Sequence, residues 1–257
     1  MISKNEIKFV HQLEQKKHRT REGLFVAEGP KVVGDLLNNG FIARQIYATD
    51  GWNTESADVR CVTEDELRKI SFLQHPQQVL ALFELPLTAH PSPLSITPFN
   101  RRGPGGGFPH LYLALDGIQN PGNLGTIIRV AHWFGIEQIF CSEDTVDAWS
   151  PKVVQATMGS IASVTVTYTN LVELLSQTSL PVYGTLLDGS NIYEEELSPQ
   201  GIIVMGNEGN GISDAVRRLV TKKLLIPAFH QGPDSLNVAI ATAITCSEFR
   251  RRTPPVV

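Results

Sequence analysis

Residues 202–213 read IIVMGNEGNGIS, and residues 224–244 read LLIPAFHQGPDSLNVAIATAI. Each stretch opens on a short apolar run (Ile202–Met205, Leu224–Ile226), crosses a loop rich in Gly, Asn and Ser, and closes on a helix-like pattern. Strand, polar loop and helix in that order make the repeating unit of an α/β fold, and at that joint backbone amides and helix N-termini are free to hold a ligand. Two such joints this close in sequence point to one shared site. The loop GNEGNGIS is not a phosphate loop, because no Gly-Lys-Ser/Thr follows, and it does not fit the G-x-G-x-x-G fingerprint. Glu208 in its middle would repel phosphate. Its glycines suit positive φ or the close approach of backbone to a neutral or cationic ligand; for the loop alone, a tight structural turn is the alternative.

Working outward, the α/β rhythm starts at LYLALD (111–116), a buried strand. The helix NLGTIIRVAHWFG (123–135) follows, with Leu124, Ile127, Ile128, Ala131 and Phe134 on one stripe and Gly135 closing it. Arg129 falls off that stripe, so core packing does not explain it. QIFCS, SVTVTYT, PVYGTLL and KKLLIP read as strands; SPKVVQATMGS (Pro151 in its first turn), LVELLSQT and SDAVRRLV read as helices. The chain ends in the helix SLNVAIATAITCSEFRR, where Ser235 is an ordinary N-cap and Asn237 adds both a donor and an acceptor. Asn120 and Asn123, ahead of the first helix, suit caps or Asx turns as well as a site. Strands separated by helices imply a mostly parallel sheet covered on both faces.

The N-terminal part has its own pattern. KKHRTREG places Lys16, Lys17, His18, Arg19 and Arg21 together, a basic cluster that reads either as a solvated helix end or as an RNA contact. LFVAEG, ARQIYAT, DVRCVT and VLALFEL then alternate with helical segments around Val32–Leu37 and TEDELRKIS, giving a small α/β domain. Residues 86–109 hold six prolines and four glycines and no apolar period, the composition of a linker. The domain boundaries expected are 1–95, a linker at 96–108, and 109–257. No apolar run approaches the ~20 residues of a membrane span, and MISKNEIKFV lacks a signal-peptide core. Cys61, Cys141 and Cys246 match neither a disulfide framework nor a zinc pattern and read as reduced core thiols of a cytoplasmic protein. A net charge of −4 gives no global pull on nucleic acid, so RNA binding would rest on local patches.

The segments NPGNLGTIIRVAHWFG (120–135), IVMGNEGNGIS (203–213) and IPAFHQGPDSLNVAIATAI (226–244) resemble the three motifs of the SpoU family, RNA ribose 2'-O-methyltransferases of the SPOUT superfamily that use S-adenosylmethionine. KKHRTREGLFVAEGPKVV is similar to the small L30e/L7Ae-like RNA-binding domain of many members. The resemblance implies a SPOUT fold with a parallel sheet and a deep trefoil knot built after about Val182, one of the rare exceptions to un-knotted topology. It implies a homodimer, and it implies structured RNA as substrate, ribosomal RNA before transfer RNA, with no metal and no membrane. Cofactor contacts would come from Thr185, Leu186, Gly206, Asn207, Gly211, Ile226, Ala228, Ser235 and Leu236. Lys16, Lys17, Arg19 and Arg21 would hold RNA. Arg129 matches the essential arginine of the family, which acts on the site of the other subunit. A guanidinium stays protonated in proteins, so binding the target phosphate is a physically easier role than acting as base. Asn123 would orient Arg129 or the RNA, Glu208 would bind Arg129 or Asn237 or favour a sulfonium, and Ser235 and Asn237 would complete the pocket.

This chain departs from the family pattern in the third motif. The usual Met after Ile-Pro is missing, and Ala228, Phe229 and His230 intervene before Gly232. His230 is a near-neutral titrating group, but a loop histidine with no visible partner reads as structural or solvated. The rival readings are a non-catalytic knotted RNA-binding protein, against which Asn123, Arg129, Glu208, Ser235 and Asn237 all stand intact, and a nucleotide-binding α/β enzyme, disfavoured by the missing phosphate-loop lysine.

Overall fold

The computed structural model describes residues 1–52, 59–86, 110–229 and 235–252. In chain order the elements are α1 (Lys4–Gln12), α2 (Lys16–Glu22), β1 (Leu24–Glu28), α3 (Pro30–Asn38), β2 (Ala43–Ala48), β3 (Val59–Cys61), α4 (Glu64–Ile70) and β4 (Val79–Glu84). There follow β5 (Leu111–Asp116), α5 (Pro121–Trp133), β6 (Gln138–Cys141), α6 (Pro151–Ala156) with a 3-10 turn at Ser160–Ala162, β7 (Thr165–Tyr168) and α7 (Leu171–Gln177). Last come β8 (Val182–Asn191), β9 (Gly201–Gly206), α8 (Asp214–Arg217), β10 (Lys222–Leu225) and α9 (Val238–Arg251). The described residues fall into two compact units, Met1–Leu87 with Asp147–Ser163, and Thr88–Val146 with Val164–Val257. Among them no helix is long and apolar enough to cross a membrane.

The first unit is built on a mixed sheet in the order β1-β4-β2-β3, with β4 antiparallel to both neighbours and β2 parallel to β3. β4 is central and buried along most of its length, which explains its continuous apolar run. Thr63 and Glu66 form a reciprocal capping box that starts α4, as Ser3 and Glu6 do for α1. Val10, Leu13, Val26, Tyr47, Ile70 and Leu80 belong to one core cluster. Fully buried Phe25 on β1 sits 4.7 Å from the ring of Trp149, which comes from the Asp147–Ser163 segment of the same unit. Burying a Phe side chain contributes roughly 1.5–3 kcal/mol, so this segment is part of the unit's core.

The same segment corrects the reading of the basic cluster. Arg19 is only 2% exposed. Its guanidinium forms an ion pair with Asp147 and donates to the carbonyls of Leu13 at 2.7 Å and Glu14 at 2.6 Å. A buried charge has to be paired, and this one is. Arg19 is therefore a structural fastener and is closed to RNA, while Lys16, Lys17 and Arg21 are exposed on α2.

The second unit is a six-stranded sheet in the order β10-β8-β9-β5-β6-β7, with every pair parallel. β5 and β9 lie at its centre and are almost entirely buried, as strands covered on both faces must be. β8 runs on to Asn191 rather than stopping near 187: it pairs with β10 at Tyr183 and Gly184, then again only at Ser190 and Asn191. Thr185–Gly189 stand out of that ladder. At the far end of α9, Glu248 accepts from Arg251 and Arg252, whose hydrogen bonds hold its carboxylate down to about 2. Arg252 also donates to the carbonyls of Ile192, Tyr193 and Glu195, so the end of α9 is clamped to the connection after β8. Of the cysteines, Cys141 and Cys246 are buried thiols as expected, but Cys61 is exposed, beside Asp50.

Candidate functional site

The three sequence motifs meet at the carboxyl ends of β5 and β9, at the start of α5 and α9. β5 delivers Gly117–Asn120 and then α5, whose first turn is capped by Asn120 accepting from the N–H groups of Gly122 and Asn123. β9 delivers the loop Asn207–Gly211, closed on itself by a pair of backbone hydrogen bonds of 2.9 Å between those two residues. The Asn207 side chain accepts from the N–H groups of Gly209 and Asn210 and donates to the Gly117 carbonyl at 2.6 Å, tying the two loops together. The glycines matter here for the turn itself. A Cβ on Gly206 would stand 2.2 Å from Gly211 and Ile212 backbone, and Gly211 has φ +70°. Gly206 thus makes room for its own loop.

That turn aims Glu208 at the N-terminus of α5. Its carboxylate accepts from the backbone N–H of Gln119 at 3.2 Å and of Asn120 at 3.1 Å, and from the Asn123 side-chain amide at 2.9 Å. The Asn123 carbonyl oxygen in turn accepts from the side-chain amide of Asn237 at 3.0 Å. Asn237 caps α9, accepting from the N–H of Ala239 at 2.9 Å. One chain of hydrogen bonds, Glu208 to Asn123 to Asn237, therefore joins all three motifs and the N-termini of two helices. A carboxylate at a helix N-terminus is favoured by the helix dipole. Desolvation would raise the Glu208 pKa, but the Asn123 amide and the backbone N–H groups outweigh it and hold the carboxyl below its ordinary range.

Among the other expected site residues, Asn237 and not Ser235 is the N-cap of α9; Ser235 and Leu236 lie exposed just before it. The Thr185 hydroxyl donates to the Val204 carbonyl at 3.4 Å, and Leu186 is half-buried beside it. Ile226 is half-buried and Ala228 exposed after β10; His230 and Gly232 lie outside the described residues. Arg129 is exposed on α5 and makes no hydrogen bond or ion pair among the described residues. Neither Glu208 nor Asn123 holds it. No group of three or more His, Cys, Asp or Glu among the described residues is placed to hold a metal.

Two features escape the motif reading. Asp116, at the end of β5, accepts from the Ser213 N–H at 2.7 Å and so anchors the turn into α8. Trp133 is 84% exposed, and it stands four residues from Arg129 on the same face of α5. Its position off the apolar stripe was visible in the sequence.

Known proteins resemble this chain along nearly its whole length. The 23S rRNA (guanosine(2553)-2'-O)-methyltransferase RlmP of Bacillus subtilis is 29% identical, over 96% of this chain and 97% of its own length. A solved TrmH-family protein from Porphyromonas gingivalis is 40% identical, with a TM-score of 0.82 over 98% of this chain and 100% of its own. An rRNA methyltransferase from Sinorhizobium meliloti, solved with AdoMet bound, is 28% identical, with a TM-score of 0.82 over 99% of this chain and 98% of its own. A model of an MRM3-like substrate binding domain matches residues 4–81. The SpoU rRNA Methylase family model matches residues 110–247, which span the whole Glu208–Asn123–Asn237 network, and the chain belongs to that family.

Proposed function

We propose that the protein transfers a methyl group from S-adenosylmethionine to a ribose 2'-hydroxyl of structured RNA, ribosomal RNA first and transfer RNA second. The observation that carries this reading is the hydrogen-bonded chain that welds the three family motifs together while leaving the Arg129 guanidinium exposed. The names of similar proteins, one of them solved with AdoMet, support the same chemistry.

The residues present suit that cofactor. Leu187 is 82% exposed, Phe229 fully exposed and Leu236 half-exposed, apolar side chains within β8 and on the segments that follow β10 and precede α9. Such side chains suit the adenine face, and the Glu208 carboxylate suits a cationic sulfur. Thr185, Leu186, Gly206, Asn207, Gly211, Ile226, Ala228, Ser235 and Leu236 would hold it. When bound, it supplies a methyl group on a positively charged sulfur. The protein's part is positioning: oxygen, methyl and sulfur must lie in line, and holding them so is worth several kcal/mol of the barrier. Arg129 binds the phosphate next to the target ribose as a bidentate cation. Asn123 and Asn237 fix the two helix ends against Glu208, which keeps the pocket walls in register.

The finer architecture belongs to the same proposal. We read the β10-β8-β9 end of the sheet as a trefoil knot, supported by α9 returning from β10 to pack on α5. The four-stranded unit is read as L30e/L7Ae-like and RNA-binding through Lys16, Lys17 and Arg21. A homodimer is supported by Trp133 and Ile240, exposed on α5 and α9; covering Trp133 would carry Arg129 to the partner's site. Free thiols, Cys61 exposed among them, support a reducing compartment such as the cytoplasm.

The test is incubation with methyl-labelled S-adenosylmethionine and unmodified ribosomal and transfer RNA. Label is expected in ribosomal RNA, on a 2'-O-methylnucleoside after digestion. Cofactor binding with no label in either pool would sink the enzymatic reading and leave a knotted RNA-binding protein.

A further inference from the structure

A cavity of about 380 Å3 opens in the first unit, among residues that take no part in the network described above. Gln77, Gln78, Pro30, Pro76, Arg68 and Glu64 are among its lining residues. That volume is at the lower end of the roughly 300–1,000 Å3 typical of small-ligand sites. Its wall contains a strained turn. Gln78 has φ +45°, a left-handed conformation that a residue with a side chain adopts only when its surroundings insist. They do insist: the Gln78 carbonyl accepts from the Thr49 N–H at 2.9 Å, and the Val79 N–H closes the turn onto the Gln77 carbonyl. Glycine would sit here without strain, whereas this turn carries two glutamine side chains at the cavity wall.

The turn splays two neighbouring amides. The Gln77 amide oxygen lies beside Gly29 and the Gln78 amide nitrogen beside Gly51. Neither amide makes a hydrogen bond among the described residues, and both side chains are exposed. A carboxamide offers a donor next to an acceptor, the complement of an adenine edge. Pro30 and Pro76 give the cavity apolar faces for a flat ring. Arg68, 64% exposed, is held among the described residues only by a surface pair of 3.0 Å with Asp65 that costs little to give up. As a lining cation it can take a phosphate. A double helix cannot offer a base edge and a ring face to such a hole; an unpaired nucleotide can.

We propose that this groove holds an unpaired adenine of the substrate RNA, read by Gln77 and Gln78. The proposal rests on the reading of the protein as an RNA-modifying enzyme, and it adds a second point of recognition, built from the first unit alone.

The experiment uses the full chain with fluorescent single-stranded oligoadenylate and oligouridylate, alongside methyl-transfer kinetics on transcribed ribosomal RNA. Wild type should prefer oligoadenylate. Gln77→Ala and Gln78→Gly should each weaken that binding by about tenfold and raise KM for RNA with little change in kcat. Gln78→Gly also relieves the left-handed strain, so its thermal midpoint should hold or rise while binding falls, the opposite of what damage to the fold would do. Unchanged oligoadenylate affinity in both variants, or no preference in wild type, overturns the proposal. Wild-type protein that shows the preference and loses it in the variants, but methylates no RNA, keeps the groove and refutes the enzymatic reading instead.

Discussion

Helices α2 and α5 each carry an arginine that the apolar pattern does not account for, and the structure uses the two in opposite ways. On α2, Arg19 is turned inward, paired with Asp147 and bonded to two carbonyls. On α5, Arg129 faces outward with no partner among the described residues. The difference lies in what the rest of the chain brings to each helix. Asp147 arrives beside α2, whereas the carboxylate nearest in motif order to α5, Glu208, is occupied by the helix N-terminus and Asn123. A basic run in sequence is thus no guide to which of its members meets solvent. A charge left over after the local carboxylates have found partners is the better candidate for chemistry.

Either side of this contrast can be broken. The largest effect is expected at Arg129→Ala: methyl transfer falls at least about a hundredfold, in line with removal of electrostatic stabilisation from the transition state, while the urea midpoint stays that of wild type. An active variant would return Arg129 to the class of ordinary surface charges. Next comes Arg19→Ala, which strands Asp147 and should cost about 3–5 kcal/mol of unfolding free energy. Denaturant titration measures it, and a drop in RNA affinity at unchanged stability would reverse the roles of the two arginines.

Glu208→Gln keeps the shape but removes the charge at the α5 N-terminus, for a stability loss of about 0.3–1 kcal/mol, the range for a solvent-screened charge at a helix end. It also bears on pH. The folded carboxyl lies below its ordinary value of 4.5, so its contribution is fully present above that value and is lost as pH falls through the folded pKa. The acid limb of the stability curve should therefore be shallower in Glu208→Gln than in wild type, and identical curves would show that the charge stabilises nothing. The smallest effect is expected from neutralising Lys16, Lys17 and Arg21 together. RNA affinity should drop, and its salt slope should flatten by roughly 0.7–0.9 for each phosphate no longer neutralised. Unchanged slopes would move the RNA surface off α2.

Much of the fold was legible in the sequence, for identifiable reasons. The α5 stripe follows from helical period alone, and Leu124, Ile127, Ile128 and Ala131 are all buried where it puts them. The parallel sheet follows from alternating elements and from apolar runs such as Ile202–Met205. Legibility failed wherever the deciding partner was distant in sequence. Arg19 meets a carboxylate 128 residues away, which no local pattern signals. Ser235 is as good a cap as Asn237 by type, but the structure gives the cap to Asn237, whose amide also reaches Asn123 in another motif. For the Glu208 loop, its position between strand and helix was readable, but the target of the carboxylate was not.

The placement of Asp147–Ser163 has a consequence for how such a protein is made and inherited. A nascent chain released as far as residue 87 could pack Phe25 on Phe41 and Phe83, but would wait for Trp149 through the synthesis of β5, α5 and β6. The first unit therefore cannot finish before much of the second has emerged. The same holds across generations: exchanging only residues 4–81, the span matched as a separate binding module, would part Phe25 from Trp149 and Arg19 from Asp147. Recombination can move this recognition module between enzymes only if a stretch from inside the methylase region travels with it.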